Sequence, residues 1–238
     1  MLNGLYSSAT ALDVLSQQQE AIASNLAHLN TPGHRRMVFS LVEQTAAGDP
    51  NEAVPGVKIQ KQSADFTPGR MEPTGRQLDL ALNGDGFFVY QGAEGPMYSR
   101  SGVVFRDAES NELRNSNGFP LVGDGGTPVT YDGAISDLVI GSDGTISQAG
   151  QNQSLGKISI VSFDDNQLLE SESQTYFRAG QATIGPAENV SVLQGSRELS
   201  NASSMNELIS LIVGSRQFEA SQRAIRMISD AMQESIRG

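Results

Sequence analysis

Apolar residues recur at alternating steps of three and four through the first thirty positions of the chain. The positions of this repeat are Leu5, Ser8, Leu12, Leu15, Gln19, Ile22, Leu26 and Leu29. Such spacing places side chains along one stripe of an α-helix and is typical of helices that pair as coiled coils. It predicts a helix over residues 4–29, which ends at residues 30–33 because proline and glycine there oppose a further helical turn.

A second repeat occupies the other end of the chain. Ser204 and Glu207 have the spacing of a capping box, which indicates a helix start. The residues that then recur every seven positions are Leu211, Phe218, Ile225 and Met232, and further apolar residues beside them are Leu208, Ile212, Ile228 and Ile236. We expect a helix over residues 204–236 with an apolar stripe of its own.

The two helices cannot both bury these stripes without a partner. Burying one Leu or Ile side chain contributes about 1.5–3 kcal/mol, so exposed stripes favour association. The helices can pair with each other inside one monomer, or their stripes can also contact other copies of the chain. The predicted assembly interface consists of Leu5, Leu12, Leu15, Ile22, Leu26, Leu29, Leu208, Leu211, Phe218, Ile225 and Met232.

The middle of the chain has the pattern of short strands between turns. Of the 25 glycines, 20 lie between residues 37 and 194. Residues 78–82 alternate, residues 83–86 form a turn signal and residues 87–90 resume a strand pattern. Further strand candidates are residues 102–105, 118–122, 134–140, 157–163 and 175–178. The pattern predicts an α+β fold in which terminal helices form a coiled-coil-like core beside a central β-rich domain.

This pattern divides the chain into three parts. We expect a helical core domain made of residues 1–33 and 200–238 and a β-rich domain at residues 76–199. Residues 34–75 contain four prolines. Because proline is confined to strand edges, turns and extended segments, we predict an extended connector there.

The charge distribution restricts the partners. The formal net charge is −11, and residues 1–36 and 195–238 each sum to zero, so the whole excess lies in residues 37–194. An acidic surface repels phosphate backbones and anionic lipids, so we expect no nucleic-acid partner. No run approaches the roughly 20 apolar residues of a membrane span, and we expect no membrane insertion. The first residues lack a basic and apolar leader, so we also expect no cleaved signal peptide.

No constellation of catalytic or metal-binding residues stands out. The chain has no cysteine, and His28 and His34 lack the spacing of a metal motif. We therefore predict no catalytic, cofactor-binding or metal site, no cofactor, and no enzymatic activity. Two alternatives stay open. One is a hydrolase that uses Asp79 and Asp85, although no partner base accompanies them. The other is a secreted β-domain binding module whose helices pair only internally.

Four stretches, in order along the chain, resemble the flagellar rod and hook protein family. Residues 23–33, with the sequence ASNLAHLNTPG, are similar to an N-terminal signature A-N-N-L-A-N-x-x-T-x-G. Residues 74–88, TGRQLDLALNGDGFF, are similar to T-G-x-x-L-D-x-A-I-x-G-x-G-F-F. The others are YSRSG at 98–102 and the pair ELI at 207–209 with RQFEA at 216–220. His34 departs from the family, which usually has Phe or Tyr there.

The family motif residues carried by this resemblance are Asn25, Leu26, Ala27, Thr31, Gly33, Leu78, Asp79, Gly84, Gly86, Phe87 and Phe88. Within the family, residues 66–70 and the short segment at 43–57 favour the proximal rod protein over the distal rod or hook type.

The resemblance implies a structural subunit of the bacterial flagellar basal-body rod. It implies that the terminal helices form the inner core of a tubular axial structure that transmits torque, with the β-rich domain outside. It further implies partners among other copies and neighbouring rod or hook subunits. Export would use the flagellar export apparatus, a type III route without a cleaved signal, and the location would be the rod in the periplasmic space.

Overall fold

A computed structural model describes residues 2–44, 56–150 and 153–237. The chain begins with a long helix, α1 Leu2–Ala27, and ends with another, α2 Ser204–Arg237. Strands dominate the sequence between them. The predicted α+β class, with helical ends around a β-rich middle, is confirmed. Helix α1 ends two residues earlier than predicted, because residues 28–33 already turn back on themselves ahead of the positive-φ Gly33.

The described chain forms two compact units, the first of which contains both helices. This helical unit comprises residues 1–27, 36–65 and 202–238. Besides α1 and α2 it has two antiparallel strands, β1 Met37–Gln44 and β2 Gly56–Ala64, with Met37 opposite Ala64 and a bulge at Ser40. Residues 36–65, which we expected in an extended connector, thus contribute a strand pair to this unit. Residues 45–55 of that connector lie outside the described residues.

The second unit is rich in β-structure and comprises residues 28–35 and 66–201. Its strands are β3 Met71–Pro73, β4 Asp79–Asn83, β5 Phe87–Gly92, β6 Gly95–Ser99, β7 Gly102–Val103, β8 Phe105–Arg106, β9 Leu113–Arg114, β10 Leu138–Ile140, β11 Thr145–Gln148, β12 Ser154–Lys157, β13 Ile160–Phe163, β14 Glu170–Ser171, β15 Tyr176–Arg178, β16 Ile184–Pro186, β17 Ser191–Gln194 and β18 Ser196–Glu198. Two single-turn 3-10 helices cover Ile135–Asp137 and Asn166–Leu168.

The strands of this β-rich unit form several small antiparallel sheets. The largest has the strand order β14-β15-β6-β5-β13-β16, and β4 lies between β17 and β7 in another. The shared core consists mainly of fully buried aliphatic and aromatic side chains, among them Leu80, Leu82, Phe88, Tyr90, Leu113, Leu121 and Ile158. Residues 118–122, expected as a strand, make only isolated bridges, since Pro120 has no N–H to donate to a ladder.

Candidate assembly surface and the motif network

The two helices of the helical unit pack against each other. A Cβ added to Gly214 of α2 would lie 3.6 Å from Cγ of Gln19 on α1, and Asn25 near the end of α1 contacts Glu207 near the start of α2. These two contacts run in opposite directions along the helices, so α1 and α2 pack antiparallel. Ile22 of α1 is buried, with 6% of its surface exposed.

Most other residues of the predicted interface are only half-buried in the single chain. This group comprises Leu12, Leu15, Leu26, Leu211, Phe218, Ile225 and Met232. Leu29 is also half-buried but belongs to the β-rich unit, while the side chain of Leu5 lies outside the described ones. Leu208 is 48% exposed. A single chain therefore leaves most residues of the predicted interface partly exposed.

Asn25 of the first family motif joins three elements of the helical unit. Its amide accepts a hydrogen bond from the Met37 N–H at 2.9 Å and donates one to the Met37 carbonyl at 3.0 Å. It also donates to Glu207 at 3.4 Å, and Arg36 donates to the same carboxylate at 2.5 Å. Asn25 and Glu207 are buried, so these polar groups need each other as partners. The Glu207 carboxylate binds across the unit instead of closing the expected capping box with Ser204.

Gly33 of the same motif occupies a position that no larger residue fits. Its φ is +72°, and a Cβ there would lie 2.3 Å from the backbone nitrogen of Ser101. Its N–H donates to the carbonyl of Glu198 at 2.8 Å. Thr31 shapes the preceding turn, because its N–H donates to the His28 carbonyl and its carbonyl accepts from the His34 N–H. Ala27 is the last residue of α1.

The second motif forms the strand β4 and the turn after it. Leu78 is part of the core, and the Asp79 carboxylate accepts hydrogen bonds from Thr74 and Arg76, each at 2.7 Å. Gly84 has a φ of +111°, and a Cβ there would lie 2.5 Å from the Asn189 carbonyl oxygen. A Cβ at Gly86 would meet the side chains of Ile160 and Val190 at 3.1–3.3 Å, a tight but less severe contact. The aromatic residues that end the motif differ, since Phe88 enters the core while Phe87 packs edge-on against Phe66, Phe163 and Phe177.

A buried charge network lies at the centre of these motifs. Glu198 accepts a hydrogen bond from Arg35 at 2.7 Å and another from Arg100 at 2.9 Å. At most 5% of any of the three side chains is exposed. Arg100 also donates to the carbonyls of Leu82, Gly84 and Gly86, at 3.0, 2.7 and 2.5 Å. Charge-assisted hydrogen bonds in a buried setting are strong and demand a full set of partners.

This network fixes two chain segments of the β-rich unit. Residues 28–35 follow α1, and β18 precedes the loop that leads into α2. The network joins both to the turn after β4, through carbonyls of the second motif. In the sequence, Arg100 lies in the YSRSG stretch with no role indicated, and no catalytic, metal-binding or charge motif includes Arg35 or Glu198. No local pattern identifies them, because Arg35 and Glu198 lie 163 residues apart.

The two histidines of the chain stack on each other. Their ring centroids lie 5.2 Å apart, and His34 contacts the Ser200 hydroxyl at 3.3 Å. Burial, together with the nearby His28 and Arg35, lowers the pKa of His34 from 6.5 to about 4. His34 is therefore neutral at pH 7. It fills the position where the family has an aromatic ring, and it presents a ring to His28.

Two further properties follow from the described residues. Within residues 2–44, 56–150 and 153–237, no three or more His, Asp or Glu side chains are grouped so that they could hold a metal ion. Over the same residues, no helix has the length and apolar content to cross a membrane.

Comparison with known protein families gives three matches along the chain. Residues 5–35 match the flagella basal body rod protein family, and residues 81–148 match the D1 domain of the flagellar hook protein FlgE/F/G family. Residues 193–237 match the C-terminal region of the flagellar basal body rod FlgEFG family. These matches cover both helices and much of the β-rich unit, which together define the class of flagellar axial subunits.

Individual relatives extend over nearly the whole chain. The flagellar basal-body rod protein FlgF of Caulobacter vibrioides is 30% identical over 227 residues, covering 92% of this chain and 91% of that protein. FlgF of Salmonella typhimurium is 27% identical, covering 97% and 95%. The rod protein FlgG of Bacillus subtilis is 26% identical, covering 99% and 98%.

The chain belongs to the flagellar basal-body rod protein family and is most like its FlgF members, the proximal rod proteins. The family resemblance read from the four motifs is thereby confirmed, and so is the structural rod function that it implied. The alternative of an unrelated secreted binding module is not favoured. Membership implies assembly with other rod and hook subunits.

Proposed function

We propose that this structural rod subunit assembles through its two terminal helices, whose stripes pack within and between subunits as a coiled-coil-like core. The observation that carries the proposal is the half-buried state of the stripe residues. Leu15 on α1 and Phe218 on α2 remain partly exposed although the two helices already pack together. Complete burial of a Leu or Phe side chain contributes about 1.5–3 kcal/mol relative to full exposure, and these half-buried side chains gain the remaining part of it when neighbouring subunits cover them.

Many copies of this modest contact produce a stiff tube. In the proposed assembly, residues 1–33 and 200–238 form the inner core, residues 76–199 face outward and residues 34–75 connect them. The buried network around Glu198 belongs to the β-rich unit, where it joins Arg35 and Glu198 to the turn after β4 through Arg100.

The location that family membership supports is the basal-body rod. We further propose that the chain crosses the inner membrane through the flagellar export apparatus without a cleaved signal and lies in the periplasmic space. The acidic middle segment is consistent with a role that involves neither nucleic acid nor membrane insertion. The relatives are rod parts, which supports a role other than catalysis.

Deletion of the gene, followed by electron microscopy of basal bodies, tests the rod function. We expect truncated, hookless structures and loss of swimming, and the point of truncation locates the subunit along the rod. Intact basal bodies and normal motility in the deleted strain would refute the proposal.

Charged substitutions in the stripes test the role of the helices. We expect Ile22→Asp and Ile225→Asp to leave the β-rich unit folded and to stop assembly, because each places a carboxylate in an apolar contact. The matched control is Gln217→Asp, which puts the same carboxylate on an exposed position of α2. Basal bodies at normal yield in either stripe variant would contradict the proposed contacts.

A further inference from the structure

Helix α2 carries a second apolar face that α1 does not cover. The residues of this face, here called the α2 stripe, are Met205, Leu208, Ile209, Ile212 and Val213, and they are 70, 48, 55, 55 and 48% exposed. Their spacing of three and four residues puts them on one side of the helix. At about 3.6 residues per turn, this side lies roughly opposite the side of Gly214 and Phe218, which faces α1.

The α2 stripe is neutral as well as apolar. Between Ser204 and Arg216 the sole ionisable residue is Glu207, and its buried carboxylate is bound by Arg36 and Asn25. Five large apolar side chains therefore meet solvent with no unpaired charge among them. A contiguous patch of this kind on a soluble chain marks a protein contact.

The same helical unit also has a concave surface. A groove of about 260 Å³ is lined by Gln18, Ala21 and Ile22 of α1 and by Met37, Val38 and Phe39 of β1. Ser210 of α2 borders it, and Asn25 and Arg36 close one end. An apolar cavity of about 150 Å³ accepts a benzene molecule, so this α1–β1 groove has room for one or two aliphatic side chains.

We propose that the α2 stripe of one copy docks into the α1–β1 groove of a second copy of this chain. The inference rests on the proposed rod function and names the surfaces through which copies meet. The occupant is a second copy because the helical unit itself presents both halves of the contact, a neutral apolar ridge and a groove with an apolar wall. Family membership already implies assembly with rod subunits.

The two surfaces differ, and that difference determines the geometry of assembly. When the same surface of two copies meets, both surfaces are used and the assembly stops at a dimer. When two different surfaces meet, the first and the last copy each keep one surface free to bind a further copy. Head-to-tail docking of stripe into groove therefore continues from copy to copy, as an axial structure requires. The contact also buries one or two side chains of the α2 stripe, which a single chain leaves in water.

Disulfide cross-linking tests this contact cleanly, because the chain has no cysteine. The test strain carries Gln18→Cys in the groove together with Ile212→Cys in the stripe, and a parallel strain replaces the latter by Ile209→Cys. Purified basal bodies are oxidised with copper phenanthroline and run on non-reducing gels with detection of this chain. Within one chain, the stripe cysteine lies on the face of α2 away from α1, so a link between these positions joins two chains.

We expect both double variants to give a ladder of dimers and higher multiples that dithiothreitol removes. Each single variant should give none. The matched control is Gln18→Cys with Glu219→Cys, an exposed position about two turns further along α2, which should also give no ladder.

Three results would overturn the proposal. The first is a dimer from Ile212→Cys alone, which means that stripes meet each other. The second is an adduct whose mass includes a different protein. The third is the absence of links in rods that assemble at normal yield. This last result would overturn only the stripe-and-groove contact. The proposed rod function is tested separately by the gene deletion, where normal basal bodies would refute it.

Discussion

Removing the charge of Glu198 tests whether the buried network stabilises the β-rich unit. The carboxylate is fully buried and binds Arg35 at 2.7 Å and Arg100 at 2.9 Å. It also accepts a hydrogen bond from the Gly69 N–H at 2.8 Å. In Glu198→Gln the side chain keeps its shape and loses its charge, which leaves two buried guanidinium groups without a counter-ion.

The expected cost is large compared with that of an ordinary ion pair. Breaking a buried pair by removing one partner lowers the free energy of unfolding by about 3–5 kcal/mol. The matched control is Glu72→Gln, which breaks a pair with Arg197 at 2.7 Å whose side chains are 35 and 39% exposed. Ion pairs this exposed to solvent contribute about 0–1 kcal/mol to the free energy of unfolding, so Glu72→Gln should leave that free energy nearly unchanged.

Urea unfolding followed by tyrosine fluorescence measures the difference. The chain has no tryptophan, and the β-rich unit contains Tyr90, Tyr98, Tyr131 and Tyr176, so this signal reports mainly that unit. With an m-value of about 1–3 kcal/mol per molar urea, a loss of about 3 kcal/mol lowers the midpoint by about 1–3 M. If Glu198→Gln and Glu72→Gln unfold at the same midpoint with equal m-values, the network does not have the assigned role.

Three other outcomes follow from particular residues. Gly33→Ala should lower the free energy of unfolding by more than about 2 kcal/mol, since its Cβ would overlap the Ser101 backbone, whereas Gly118→Ala, with a similar φ and open space, should cost only about 1 kcal/mol in the same urea assay. The lowered pKa of His34 means that the unfolded chain binds a proton between pH 6.5 and about 4 that the folded chain does not, so stability should fall over that range by at most about 3 kcal/mol and level off below it. His34→Phe should flatten this part of the pH profile, and an unchanged slope would exclude His34 as its origin. Asn25→Ala should destabilise the helical unit by about 1–3 kcal/mol, because it removes the side-chain amide that hydrogen-bonds both the N–H and the carbonyl of Met37. The helical circular dichroism signal of this variant should then be lost at a lower temperature than that of the unchanged chain.

Local patterns in the sequence were enough to predict the helices and the strand-rich middle. The recurrence of Leu12, Ile22, Phe218 and Ile225 predicted two long helices, and glycine-rich turns predicted short strands between them. Such patterns act over a few residues, where the chain's own geometry decides which side chains share a face. The family could be recognised for the same reason, because its motifs are local runs of residues.

Only the tertiary structure decided which distant residues are partners. The repeat puts Leu208 and Leu211 in one predicted interface, and only the structure shows that Leu208 is 48% exposed in the single chain while Leu211 is half-buried. Glu198 lies 163 residues from Arg35 and 98 from Arg100, and nothing near any of them in the sequence indicates burial. The physical reason is that a charge can be buried only where folding supplies its counter-ion, and that supply depends on how distant segments pack.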